Sequence, residues 1–179
     1  FYEAGRDPAF FLEFVKQGHK ASYAASFSYL DIDETNKRRI QKSLETFDAV
    51  AVREYHGLDI LRSMNIEGTW TLDPVFLLSA EQWKKLMVTN IPKKDYLLIY
   101  DFEGNKELKQ FAKEYAQRHH LKIYAIADTY PLLYANKNFM KAGPREFISM
   151  IYHCKVFISN SFHGTAFSIM FNKPVFVFN

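Results

Sequence analysis

The sequence predicts an α/β protein with parallel sheets, arranged as two lobes. Strand-length apolar runs alternate with helical patterns most cleanly from about residue 92 to the last residues, the order that builds parallel sheets covered on both faces. The runs Tyr96–Tyr100 (YLLIY) and Leu121–Ala127 (LKIYAIA) are almost continuously apolar, as expected of strands buried on both sides. In Val156–Phe178 (VFISNSFHGTAFSIMFNKPVFVF) the polar residues gather where a strand ends and a helix begins. Ligands of open α/β sheets bind at that edge.

The elements follow in order. Residues 20–28 (KASYAASFS) read as a strand leaving a loop. Thr35–Phe47 carries Ile40, Leu44 and Phe47 at helical spacing, and Asp48–Arg53 is a short apolar strand ending in a charge. Tyr55–Met64 follows as a helix with Leu58, Ile60 and Leu61 apolar. Asp73-Pro74 is a turn into a short apolar segment that closes the first lobe, residues 1–78. Ser79 caps a helix running to Leu86, with Gln82 at the reciprocal capping position. The second lobe, residues 79–179, continues with the strand Tyr96–Tyr100 and a helix capped by Asn105. Leu108, Phe111, Ala112, Tyr115 and Ala116 lie on one face of that helix. Tyr130–Lys141 has no period and reads as an irregular connection. Pro144 suits the first turn of a helix whose buried stripe is Phe147, Ile148, Ile151 and Tyr152. Val156–Ile158 is a strand, Thr165–Phe171 a helix, and a last strand follows Pro174.

The totals exclude several classes. With 179 residues, 48% hydrophobic, the chain can bury one good core or two small ones. Seven Gly and six Pro exclude a disordered or fibrous chain. The formal net charge of +3 comes with both signs interspersed, so no basic block points to nucleic acid, and Lys37-Arg38-Arg39 reads as a solvated helix face. The one cysteine, Cys154, rules out a disulfide within the chain and a cysteine-built metal site, and fits a reducing compartment. No apolar run reaches the length of a membrane span and no signal peptide is visible. The six histidines lack metalloprotease spacing, and GxGxxG, Walker A and GxSxG sequences are absent. Neither a metal nor a cofactor is called for. The chain opens on Phe1-Tyr2-Glu3 and ends on a strand, so it is expected to be a fragment lacking parts at both ends.

His163 is the leading candidate for chemistry. At a strand end and helix start it can be a general acid/base or an anion ligand, or a polar residue bonded to backbone. Ser161, Gly164 and Thr165 share its corner, where backbone N–H groups and two hydroxyls could hold phosphate oxygens. Arg53 ends an apolar strand in VAVREYHG. A guanidinium there suits bidentate capture of a carboxylate or phosphate, or a salt bridge with Glu54 or Asp59. Lys173, after the motif helix, could neutralise substrate charge or be a solvated turn lysine. His56 reads as helix surface or pocket lining. His119 and His120 read as a helix end.

Four pieces together resemble the polysaccharide pyruvyl transferase family: SYAASF (Ser22–Phe27), AVREYHG (Ala51–Gly57), DPVFLL (Asp73–Leu78) and Ala142–Phe178. The resemblance covers most of the chain and is most specific in the last piece. It implies two Rossmann-like lobes similar to those of GT-B glycosyltransferases, with an upstream strand region and C-terminal helices beyond this sequence. It implies a cytoplasmic bacterial enzyme, with the inner membrane face as a place of action, that moves pyruvate from phosphoenolpyruvate to a sugar of a cell-surface exopolysaccharide, forming a ketal. The acceptor would be a glycan or a lipid-linked sugar. The family's catalytic histidine maps onto His163, and a strand-end arginine similar to Arg53 is implicated in holding phosphoenolpyruvate between the lobes. Some members carry an arginine two residues before the histidine, where this chain has Ser161. Anion binding here would then lean on the helix start, Arg53 and Lys173. A GT-B-type glycosyltransferase using a nucleotide sugar and a non-catalytic anion- or sugar-binding domain are the alternatives.

Overall fold

The computed structural model describes residues 7–28, 30–93, 95–127 and 129–178. The chain divides into two compact units, Phe1–Pro74 and Val75–Asn179. Both are α/β with parallel sheets, as the sequence predicts.

The first unit contains β1 (Ala21–Ala25), α1 (Glu34–Leu44), β2 (Ala49–Val52), α2 (Tyr55–Ser63) and β3 (Thr69–Trp70). Its strands are parallel and lie in the order β1-β2-β3. Asp33 caps α1 by accepting the Asn36 N–H at 3.0 Å. Ile40 and Leu44 then face Val50 and Val52 of β2 and Ile60, Leu61 and Met64 of the α2 end. β3 has no counterpart in the sequence reading, because two residues are too few to carry a period.

The second unit adds α3 (Ala80–Lys84), β4 (Tyr96–Tyr100), α4 (Lys106–Arg118), β5 (Lys122–Ile126), β6 (Lys137–Phe139), α5 (Pro144–His153), β7 (Val156–Ser159), α6 (Phe162–Met170) and β8 (Val175–Val177). The capping box on α3 forms as expected, with Ser79 and Gln82 each bonded to the other's backbone N–H. All pairings are parallel and the order is β6-β5-β4-β7-β8. The chain winds outward from β4 to β6, then returns to β7 on the other side of β4. That reversal makes the gap after β4 and β7 the topological switch point, where ligands of such sheets bind.

Alternation along β4 divides the core. Tyr96 and Leu98 pack with Phe157, Ile148, Ile151 and Phe167 beneath α5 and α6. Leu97 and Ile99 pack with Leu108, Ala112 and Ala116 of α4. The Tyr96 hydroxyl, fully buried, donates to Met150 O at 2.7 Å. Cys154 is 2% exposed, and burial pushes its thiol up to about 12, so it belongs to the packing.

Two expectations need correction. Tyr130–Lys141 is not wholly irregular: Lys137–Phe139 adds β6 to the sheet edge against β5. The motif helix begins at Phe162, three residues before Thr165. The alternation of polar and apolar residues in SFHG hides the first turn, which Ser161 starts as N-cap. Among the described residues no helix is long and apolar enough to cross a membrane.

Candidate functional site at two sheet edges

Ser161, His163, Gly164 and Thr165 of the second unit lie together at the switch point. β4 runs out at Tyr100-Asp101 and β7 at Ser159-Asn160, and the two ends are tied together. The Ser159 hydroxyl donates to Tyr100 O, and Asn160 Nδ2 donates to Asp101 Oδ1 at 3.1 Å. Asp101 also accepts from the backbone N–H groups of Glu103, Gly104 and Asn105, at 3.1, 3.0 and 2.9 Å. One carboxylate therefore folds the loop into α4, whose first turn Asn105 caps. Gly104, at φ 70°, supplies the left-handed residue that this tight loop needs. The Tyr134 phenol is pushed up to about 12, first by burial and then by the Asp101 charge. Sequence reading missed Asp101, which looks like an ordinary turn residue until the sheet order places it beside Asn160.

Ser161 is buried and caps α6: its Oγ accepts the Gly164 N–H at 3.2 Å, and its own N–H is held by Ser159 Oγ at 3.0 Å. Ser161 O accepts from the Thr165 N–H at 3.0 Å and from the Thr165 hydroxyl at 2.9 Å. The N–H groups of Ser161, Gly164 and Thr165 thus have partners within the corner. Gly164 answers a packing need, since a Cβ would stand 2.5 and 2.8 Å from the Phe157 ring. His163 lies in the first helical turn, exposed, with its ring edge-to-face with Phe162 at 5.3 Å.

Lys173 lies at the other end of α6. The helix closes with Asn172 in the left-handed region at φ 52°, with Asn172 N–H donating to Ile169 O and Lys173 N–H to Ser168 O at 2.8 Å. Nine helical residues span about 13 Å, so Lys173 belongs to the opposite sheet edge, ahead of β8. Its ammonium sits over the Tyr152 ring at 5.3 Å. The structure does not bring it to the His163 corner.

In the first unit, Arg53 follows β2 and is stitched to both neighbours. Its N–H donates to Ala25 O at 3.0 Å, and Thr71 N–H donates to Val52 O at 2.9 Å. Its guanidinium is paired with two carboxylates: Nη1 donates to Asp73 Oδ2 at 2.7 Å and Nε to Glu54 Oε1 at 3.2 Å. The Asp73 side chain is 3% exposed and that of Arg53 22%. Glu54 was foreseen as a partner; Asp73 was read only as a turn former. Ser26 also donates to Glu54 Oε1, which ties the SYAASF segment to AVREYHG. His56 is half-buried in the first turn of α2. His119 is exposed and stacks on Tyr115, and His120 takes the left-handed position that ends α4, at φ 53°. Among the described residues no group of three or more His, Cys, Asp and Glu is placed to hold a metal ion.

A doubly wound parallel sheet with a capped helix start at its switch point defines a Rossmann-like protein whose switch-point edge carries a histidine. The sequence model of one family, polysaccharide pyruvyl transferase, matches residues 2–179. The chain belongs to that family. No curated protein matches it.

Proposed function

We propose that this protein transfers the pyruvyl group of phosphoenolpyruvate to two hydroxyls of one sugar in a cell-surface polysaccharide or its lipid-linked precursor, giving a pyruvate ketal. The observation that supports it most is the family match along residues 2–179 in a chain that places His163 at the switch point. No cofactor enters; phosphoenolpyruvate is the donor substrate.

The chemistry asks for two things: charge to hold a carboxylate and a phosphate, and a proton moved to carbon. The start of α6 favours negative charge through its aligned peptide dipoles. Phosphate placed there is drawn to the first turn, beside the Ser161 hydroxyl. In the first unit Arg53 is paired with Asp73 and Glu54, so what it offers a ligand there is oriented N–H donors rather than net positive charge. C3 of phosphoenolpyruvate gains a proton, and C2 becomes electrophilic. One sugar hydroxyl adds to C2, the C2–O bond to phosphate breaks, and the second hydroxyl closes the ring. The two hydroxyl protons are accounted for: one ends on the new methyl group and one on the departing phosphate. His163 carries the proton between them. General acid–base help of this kind is worth roughly 10²–10⁴ in rate.

The test uses the full-length protein with phosphoenolpyruvate and candidate glycans, following phosphate release. Release that needs both the acceptor and His163, and that falls at least about a hundredfold in His163→Ala, is the expected result. Turnover of nucleotide sugars in place of phosphoenolpyruvate overturns it, as does an undiminished rate in the variant.

A further inference from the structure

The polar corner of the first unit carries an aromatic platform that the donor chemistry does not use. Trp70 and Tyr55 are 54% and 61% exposed. Their rings meet edge-to-face, with centroids 5.7 Å apart and planes at 88°. The indole is not loose: its Nε1–H donates to Arg53 O at 3.2 Å. This bond locks the orientation of a large exposed ring at the end of β3. Exposed aromatics held in place beside charged groups mark binding surfaces, because ordering them costs little further entropy when a ligand arrives.

The groups beside the rings select the ligand. Arg53, Glu54 and Asp73 put one guanidinium between two carboxylates, a set rich in both donors and acceptors. The side chains of Arg53 and Glu54 are 22% and 24% exposed, so a polyhydroxylated ring can meet both a donor and an acceptor there while its C–H face covers the indole.

The geometry points to a pyranose-binding subsite on the first unit: the C–H face of a hexopyranose on Trp70, its edge against Tyr55, and its hydroxyls toward the part-exposed Arg53 and Glu54 side chains. This rests on the acceptor class proposed above and adds which residues hold the acceptor. It also puts the sugar beside Arg53, through the same backbone carbonyl that anchors Trp70.

The experiment is saturation-transfer difference NMR on the full-length protein with methyl hexopyranosides of gluco, galacto and manno configuration, beside acceptor KM measurements. Trp70→Ala is compared with Tyr55→Ala, which leaves the Arg53 carbonyl contact in place, and with Trp70→Phe, which keeps a ring without the N–H. Ring-proton signals of at least one glycoside should appear with the wild type and fall roughly two- to tenfold in both alanine variants. Trp70→Phe should retain most of the signal. In turnover, acceptor KM rises by the same factor while phosphoenolpyruvate KM stays within about twofold in Tyr55→Ala. No glycoside signal with the wild type, or signals unchanged in both alanine variants, overturns the subsite. So does a change in oligomeric state with glycoside signals intact, which would make the platform a protein contact. Glycoside binding that depends on Trp70 without pyruvyl transfer leaves the subsite standing and removes the transfer reaction. Transfer with acceptor KM unmoved does the reverse.

Discussion

A carboxylate before a proline is by default a turn former, yet Asp73 is buried and spends its charge on Arg53 at 2.7 Å. A buried carboxylate with its partner removed, or a guanidinium with its carboxylate removed, is costly because the remaining charge keeps its desolvation penalty. Asp73→Asn should therefore destabilise the fold by about 3 kcal/mol, the low end for a broken buried pair, since Arg53 keeps some solvent contact. Urea unfolding measures it. A loss under about 1 kcal/mol, the scale of a surface pair, would mean that Glu54 alone holds the guanidinium. Arg53 was legible in the sequence as a charge closing an apolar strand. Its partner was not, because twenty residues separate the two and nothing in either segment's pattern refers to the other.

At the scale of elements, the unit β7–α6–β8 shows how a helix start becomes a chemical corner. Ser159 ends a fully buried strand, Ser161 caps the helix, and Gly164 lets α6 settle on Phe157. Gly164 is therefore expected to act through packing. Gly164→Ala gains about 1 kcal/mol of helix propensity but sets a methyl group 2.5 Å from a ring that is 0% exposed. Overpacking of that kind costs about 1–3 kcal/mol, so a net loss of stability is expected in thermal unfolding. The second change Phe157→Leu should restore part of it. If Gly164→Ala leaves stability intact and only weakens phosphate binding, the glycine serves ligand approach instead. The strand and the helix could be read from the sequence. The start of the helix at Phe162 could not, since a capping serine followed by Phe-His-Gly carries no helical period of its own.

At the scale of the molecule, the five-stranded sheet has two edges of different character. Its C-terminal edge holds the Asp101–Asn160 link and His163. Toward the other end lie Lys173, His153 and the Lys155–Asp95 pair. His153 is held below its ordinary value of 6.5, first by burial and then by the Lys93 and Lys173 charges. Its protonation therefore favours the unfolded chain. Between the lowered value and 6.5 the unfolded state binds more protons, and stability rises with pH. The wild type should lose more stability than His153→Gln between about pH 7.5 and 5.5, read from urea midpoints; equal losses would remove His153 as a cause.

The sequence by itself determined the α/β class, the parallel strands, the main helices and the corner that carries His163. Those properties rest on local period, capping and turn chemistry, which neighbouring residues settle among themselves. Only the tertiary structure decided that β7 returns beside β4 and makes the switch point. Only it joined Arg53 to Asp73 and set Trp70 on the Arg53 carbonyl. These are facts of strand order and of contacts across many residues, fixed by which apolar faces close on each other, and no stretch of sequence states them alone.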